Sequence, residues 1–277
     1  MAAAPDTAGR STARRKARAP APRGLRLLGL RLAFLLACLV SWQGLVSTEV
    51  LSEFWVSSPV SLVRRFVAML ADGSLPLHTG ITLGESLAGL VLGAAVGIAG
   101  GFLFARWELL AEVLEPYIMA LNSLPRVALA PLLIIWVGIG LLSKIMLAFS
   151  LVAVIMLVNT YAGTRSIDPV LVNALRMLGA RQRDIFVKIT LPHSVPWIFA
   201  GLRVSVAFAY IGAVVGEFLG STKGIGFLID RASGAFNTTG ILVPLLALML
   251  LAVALNALML RLEKRLLKWR PPQVGQL

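Results

Sequence analysis

The stretch Ile81-Thr-Leu-Gly-Glu-Ser-Leu-Ala-Gly-Leu-Val-Leu-Gly-Ala-Ala-Val-Gly-Ile-Ala-Gly-Gly-Phe-Leu-Phe-Ala105 holds one ionisable side chain, Glu85, close to its start. About 20 apolar residues rising 1.5 Å each cross the hydrocarbon core of a bilayer, so this run is long enough to span it. Within it Gly89, Gly93, Gly97 and Gly101 recur every fourth residue. That spacing lays a smooth groove along one helix face. In lipid no hydrophobic effect drives helices together, and small residues that let backbones approach take its place. The run is a membrane span shaped to pack on a neighbour.

Five further apolar blocks lie at 27–46, 117–140, 145–161, 197–219 and 241–260. The fifth span in chain order repeats the small-residue pattern with Gly201, Ser205, Ala209 and Ala213. The third contains Pro125, Arg126 and Pro131 and is not expected to be a straight helix. Hydrophobic residues make up 58% of the chain and charged residues 14%, and the mean hydropathy is +0.85. Soluble domains carry about 25% charged residues. The expected fold is therefore an all-α integral membrane protein with about six transmembrane helices. Cys38 is the single cysteine, which excludes an intramolecular disulfide. The net charge of +13 does not mark a nucleic-acid binder, because the basic residues border apolar blocks instead of forming one solvated face.

Their placement gives an orientation. With the N-terminus in the cytoplasm, nineteen lysines and arginines fall on that side. Five fall on the other: Arg64, Arg65, Lys144, Lys223 and Arg231. Positive charge marks the cytoplasmic side, so both termini are expected there. Residues 1–24 form a basic arm rich in Ala and Pro, expected to be disordered. Residues 25–80 hold the first span and an outer segment in which 60–69 form a short amphipathic helix. Residues 81–262 form the core membrane domain, with a polar loop at 162–196, and 263–277 a basic tail. The basic start and Leu35-Leu36-Ala37-Cys38 are similar to a signal peptide, but Arg31 interrupts the apolar run, which favours an uncleaved anchor.

The loop is the most informative polar segment. Asp168-Pro169 is a helix start, with a capping carboxylate and a proline suited to the first turn. Leu171, Leu175 and Leu178 recur at helical spacing, and Gly179 is placed to end that helix in a left-handed conformation. A second helix is expected from 181 to 189, stopped by Leu191-Pro192. The pattern Asn173-Ala174-Leu175-x3-Gly179-x9-Ile189-x-Leu191-Pro192 resembles the Glu-Ala-Ala-x3-Gly-x9-Ile-x-Leu-Pro loop of binding-protein-dependent ABC importer permeases. Asn173 and Leu175 stand where the family has Glu and its second Ala. The stretch from Ala120 through Pro131 to Gly140, with Ser143-Lys144, and Gly216-Glu-Phe-Leu-Gly220 with Gly224-Ile-Gly-Phe-Leu-Ile229, resemble the branch for nitrate, sulfonates and taurine.

The resemblance implies a permease subunit in the bacterial inner membrane with no cofactor and no catalysis of its own. It implies a cytoplasmic ABC ATPase dimer that binds the ATP, a second permease copy forming a homodimer, and a periplasmic solute-binding protein. The loop would be the coupling element, with Asp168, Asn173, Ala174, Leu175, Gly179, Ile189, Leu191 and Pro192 on it. The solute would be a small anion. The sequence agrees in lacking a phosphate-binding loop: Gly220-Ser-Thr-Lys-Gly224 has the wrong spacing.

Ionisable groups at membrane depth are functional candidates. Arg126 lies between two prolines, and its planar fork suits an oxyanion in the pathway; snorkelling or a structural partner is the alternative. Asn122 and Glu217 join it as pathway candidates. Glu85 and Glu217 fall near the outer ends of their spans, where membership of a periplasmic gate is the alternative to the expected position at headgroup level. His78 and His193 are expected at the interface, with no neighbours that make a metal site. An ion-coupled carrier would need carboxylates at the midplane and an internal repeat. A hydrolase would need a nucleophile and base that this sequence does not offer.

Overall fold

A computed structural model describes residues 23–266. The basic arm expected over 1–24 lies outside the described residues up to residue 22, as does the tail beyond 266. Every regular element among the described residues is helical. The chain divides into two units, Met1–Val50 and Leu51–Leu277. The first contains α1 (Arg23–Ser47), a span whose apolar side chains, Leu30, Phe34 and Val40 among them, are exposed.

The second unit opens with α2 (Glu53–Val56) and α3 (Pro59–Ala71), followed by the long α4 (Ser74–Arg106). Next come α5 (Glu108–Ser123), a 3-10 turn at Arg126–Leu129, α6 (Ala130–Val137) and α7 (Leu141–Arg165). The loop holds α8 (Pro169–Met177) and α9 (Gln182–Ile185), then a π turn at Phe186–Thr190 leads into α10 (Leu191–Phe218). The chain ends with α11 (Ile225–Gly234) and α12 (Thr238–Leu266). Among the described residues five helices are long and apolar enough to span a membrane, and a sixth span results if the α5–α6 pair, bent by 85°, counts as one.

Helix α7 is the centre of this unit, and glycine brings two helices against it. Gly89, Gly93, Gly97 and Gly101 of α4 face Ala148, Val152, Met156 and Thr160. A Cβ on Gly93 would lie 2.7 Å from that of Val152, and one on Gly101 would lie 2.6 Å from that of Thr160. The partners advance in step, so α4 and α7 run parallel. Helix α10 runs the other way: Gly201 meets Asn159 and Met156, Gly212 meets Ala148, and Gly216 meets Lys144. Leu90, Ala94, Val152, Met156, Val206, Ala209 and Tyr210 fill the space between the three. Parallel α4 and α7 need a return crossing between them, which the bent α5–α6 pair supplies.

Helix α3 belongs to the second unit, where Leu62, Phe66 and Met69 pack against Leu75, Ile225, Ile229, Val243 and Ala247. The amphipathic helix expected at 60–69 is present as α3. Leu191-Pro192 does not stop the helix that begins at Gln182. Pro192 falls in the first turn of α10 straight after the π turn, where its missing N–H breaks no regular bond, and helix runs on to Phe218. The third span breaks at Pro125, as its prolines suggest.

Candidate functional site

The loop forms a helical hairpin whose first arm, α8, lies outside the long spans and whose second, α9, runs on through the π turn into α10. Asp168 caps α8, accepting from Val170 N at 2.8 Å, with Pro169 in the first turn. Gly179 has φ +83°, and Ala180 N donates to Leu175 O while Gly179 N donates to Arg176 O, both at 3.0 Å. This six-to-one and five-to-two pair closes the helix end and requires a residue content in the left-handed region. On the return, Arg181 N donates to Asp184 Oδ2 at 3.3 Å, Lys188 pairs with Asp184 at 3.2 Å, and Ile185 is buried. Phe186 packs edge-on against Phe102 near the end of α4.

Leu175, Gly179 and Ile189 come together with Leu178, Ala180 and Ile185 around a cavity of about 300 Å³. Ala174 is half-buried and Asn173 exposed on α8. Asp168 sits at the far end of α8, and Leu191 and Pro192 lie beyond the π turn. Val170, Leu171, Met177 and Leu178 are exposed, the last two at 84 and 83%. A short helix outside the spans thus presents apolar side chains that this chain does not cover.

A second constellation is buried where α4 and α7 begin and α10 ends. Lys144 Nζ donates to Glu85 Oε1 at 2.8 Å and to Ser221 Oγ at 2.7 Å. Glu217 accepts from Thr82 Oγ1 at 2.7 Å and from Gly226 N at 2.6 Å, at the start of α11, where backbone N–H groups are free to donate. Ile225 N donates to Thr82 Oγ1 and Gly224 N to His78 Nδ1, each at 2.8 Å. Any Cβ on Gly224 would run into the Glu217 carboxyl, and one on Gly226 would lie 2.7 Å from Glu217 Cβ. The two glycines make room for that carboxylate. Glu85 and Glu217 are both buried, because Lys144 and the α11 backbone supply partners inside the protein. Lys144, counted among the outer loop charges, is likewise buried. No signal within a single span joins Lys144 to Glu85.

The third feature is the break at Pro125. Pro125 has no N–H for the carbonyl of Leu121, and Arg126 Nε donates to that oxygen at 3.3 Å. Arg126 Nη1 reaches Ser150 O and Leu151 O at 2.9 and 3.2 Å, and Nη2 reaches Asn122 Oδ1 at 2.6 Å. All these acceptors are neutral, so the guanidinium charge is stitched to backbone and not paired. Asn122 is exposed and lines two cavities, of about 240 and 320 Å³. The first includes Glu115 and Tyr161, and the second includes Arg126 and Phe208. The structure brings Asn122 and Arg126 together and places Glu217 in the buried cluster with Lys144. His193 bonds Ser166 at 3.1 Å, and no metal-holding group of His, Cys, Asp and Glu occurs among the described residues.

A parallel pair of glycine-packed spans, a broken third span and a capped helix outside the long spans describe a helical membrane protein. Residues 89–268 match the family of binding-protein-dependent transport system inner membrane components, and the chain belongs to it. It is 36% identical to the riboflavin transport system permease RibX of Chloroflexus aurantiacus, over 87% of this chain and 90% of that one. It is 30% identical to the putative aliphatic sulfonates transport permease SsuC of Bacillus subtilis, over 84 and 85%. Inward-facing structures of the MetNI methionine ABC transporter share the fold, with a TM-score of 0.61 and 19% identity over 68% of this chain and 94% of theirs. The protein is an ABC transporter permease.

Proposed function

We propose that this permease forms the translocation path for a small anionic solute, of the sulfonate, nitrate or taurine kind, and that α8 couples it to an ATPase dimer. The carrying observation is the exposed apolar surface of α8, with Met177 and Leu178 almost fully open on a helix outside the long spans. Uncovered apolar area on a rigid, capped hairpin fits a groove on another subunit. ATP hydrolysis then belongs to that partner, since this sequence has no phosphate-binding loop. Two copies of this permease pair, both termini face the cytoplasm, and a periplasmic binding protein delivers the solute.

The unpaired guanidinium of Arg126 beside the Asn122 cavities supports an anion in the pathway. The 36% identity to a riboflavin permease favours a second reading, in which an aromatic heterocycle passes the same cavities.

The test is purification of the tagged chain from native membranes, with Leu178→Asp as comparison. An ATPase is expected with the wild type and absent from the variant. Vanadate-sensitive hydrolysis by the complex, with its binding protein, is then measured with taurine, an alkanesulfonate, nitrate and riboflavin. Stimulation by an anion supports the first reading and by riboflavin alone the second; a chain that elutes alone from a detergent known to preserve such complexes sinks both.

A further inference from the structure

Helix α3 is apolar on two faces, and one of them turns into the protein. Leu62, Phe66 and Met69 enter the cluster with Leu75, Ile225 and Val243. Val60, Val63, Val67 and Leu70 form a second stripe at helical spacing, and all four are exposed. Along one flank between the two faces stand Arg64 and Arg65, also exposed.

The depth of α3 is fixed by what holds it. Met69 packs against Leu75, in the first turn of α4, and Val243, in the second turn of α12. Ser57 and Thr239 share a hydrogen bond of 2.7 Å, and the Thr238 hydroxyl donates to the Phe54 carbonyl. Both α4 and α12 are long apolar spans, and both begin here. So α3 lies at the boundary where acyl chains meet headgroups. Phe54 and Trp55 stand at the same level in edge contact at 5.0 Å, with Trp55 75% exposed. Tryptophan, with an apolar ring and one polar N–H, collects at membrane interfaces. Four aliphatic side chains fall short of the roughly 800 Å² per partner that a stable protein interface buries, which argues against a second copy as the cover. The two arginines supply the charge that a phosphate surface attracts.

We propose that α3 is an interfacial helix whose stripe of Val60, Val63, Val67 and Leu70 seats in the acyl–headgroup boundary, with Arg64 and Arg65 binding the phosphates of anionic phospholipid. The surface goes beyond the transport reading, since it concerns how the outer rim of the bundle holds its depth in the bilayer.

Because Cys38 is the only cysteine, Val67→Cys in a Cys38→Ser background carries a single environment-sensitive fluorophore. The full chain is reconstituted in phosphatidylcholine vesicles with and without phosphatidylglycerol. Quenching by a nitroxide near the top of the acyl chain is expected to exceed quenching by aqueous iodide several-fold. Phosphatidylglycerol is expected to increase the nitroxide effect, and Arg64→Ser with Arg65→Ser to abolish that increase. Val63→Cys repeats the measurement from one turn away, and a monodisperse elution profile establishes that each variant is folded. Dominant iodide quenching places the stripe in water and overturns the proposal. Protection from both quenchers overturns it in favour of a protein cover. Nitroxide quenching indifferent to phosphatidylglycerol removes the arginines from it.

Discussion

Glu85 and Lys144, 59 residues apart in the chain, meet at 2.8 Å inside the protein. The same interval separates Gly89 from Ala148, Gly93 from Val152, Gly97 from Met156 and Gly101 from Thr160. The ion pair is therefore the first rung of the ladder on which α4 and α7 run side by side. Below it the rungs are glycine against a side chain, and at the top they are charge against charge.

Breaking that rung on one side leaves a buried charge without its partner. Lys144→Met or Glu85→Leu alone is expected to cost about 3–5 kcal/mol, while the double variant loses less than either single one. Thermal unfolding of the detergent-solubilised permease measures the order of the three. A double variant as unstable as the sum of the singles would show that the two side chains do not act as a pair.

The glycine ladder makes a prediction with an internal control. At Gly93 a methyl group would meet Val152 Cβ at 2.7 Å, and Ala153 N, part of the backbone, at 3.1 Å, so the helices must move apart. Gly93→Ala is expected to destabilise by about 1–3 kcal/mol. Gly84, on the same helix, has nothing within 4 Å of such a methyl group. There alanine is the better helix former by roughly 0.5–1 kcal/mol, and Gly84→Ala should raise the unfolding temperature. Equal effects at the two positions would contradict the register.

Much of this was legible because lipid imposes strong local rules. Span length, the four-residue glycine period and the Asp168-Pro169 and Gly179 helix boundaries each depend on a few neighbouring residues. What the sequence hid is long-range. The Lys144–Glu85 pair joins two spans, and the cradle for Glu217 needs Thr82 from one helix and Gly226 from another. An ionisable group at a span end looks the same whether lipid headgroups or a buried partner satisfies it. Pro192 misled for a local reason: in the first turn after a π turn a proline no longer ends a helix.

At the hairpin, Gly179 holds φ +83°, which a side chain disfavours by about 1–2 kcal/mol. Gly179→Ala is expected to loosen the turn and lower ATPase co-purification partially, whereas Gly179→Asn, which tolerates that conformation better, retains more. Asp168→Ala removes the cap at the other end of α8 and costs about 1 kcal/mol of local stability. Co-purified ATPase per permease, read for all three variants, checks the ranking.

The α2–α3 junction should respond to acid. The hydroxyls of Ser61 and Ser58 hold the Glu53 carboxyl below the usual carboxylate range. A carboxyl lowered on folding contributes stability above its ordinary pKa, and that contribution fades as pH falls through the lowered value. A spin label at Val63→Cys in the Cys38→Ser background is expected to gain mobility as the medium is acidified through that range. Glu53→Gln should leave the label equally mobile at neutral and acid pH.

The break in the third span offers the sharpest test of what Arg126 does for the fold. Pro125 denies the carbonyl of Leu121 its usual helical donor, and Arg126 Nε takes that place at 3.3 Å. Arg126→Met orphans the carbonyl, at a cost of about 1–3 kcal/mol for that group alone. Pro125→Ala returns a backbone N–H at the position a continuous helix would use. Combined with Arg126→Met it should therefore recover about 1 kcal/mol or more relative to the sum of the single changes. Non-additivity of that sign, measured by thermal unfolding in detergent, identifies the arginine as a substitute donor for a proline-broken helix. Strict additivity would assign its cost to the contacts with Asn122, Ser150 and Leu151 instead.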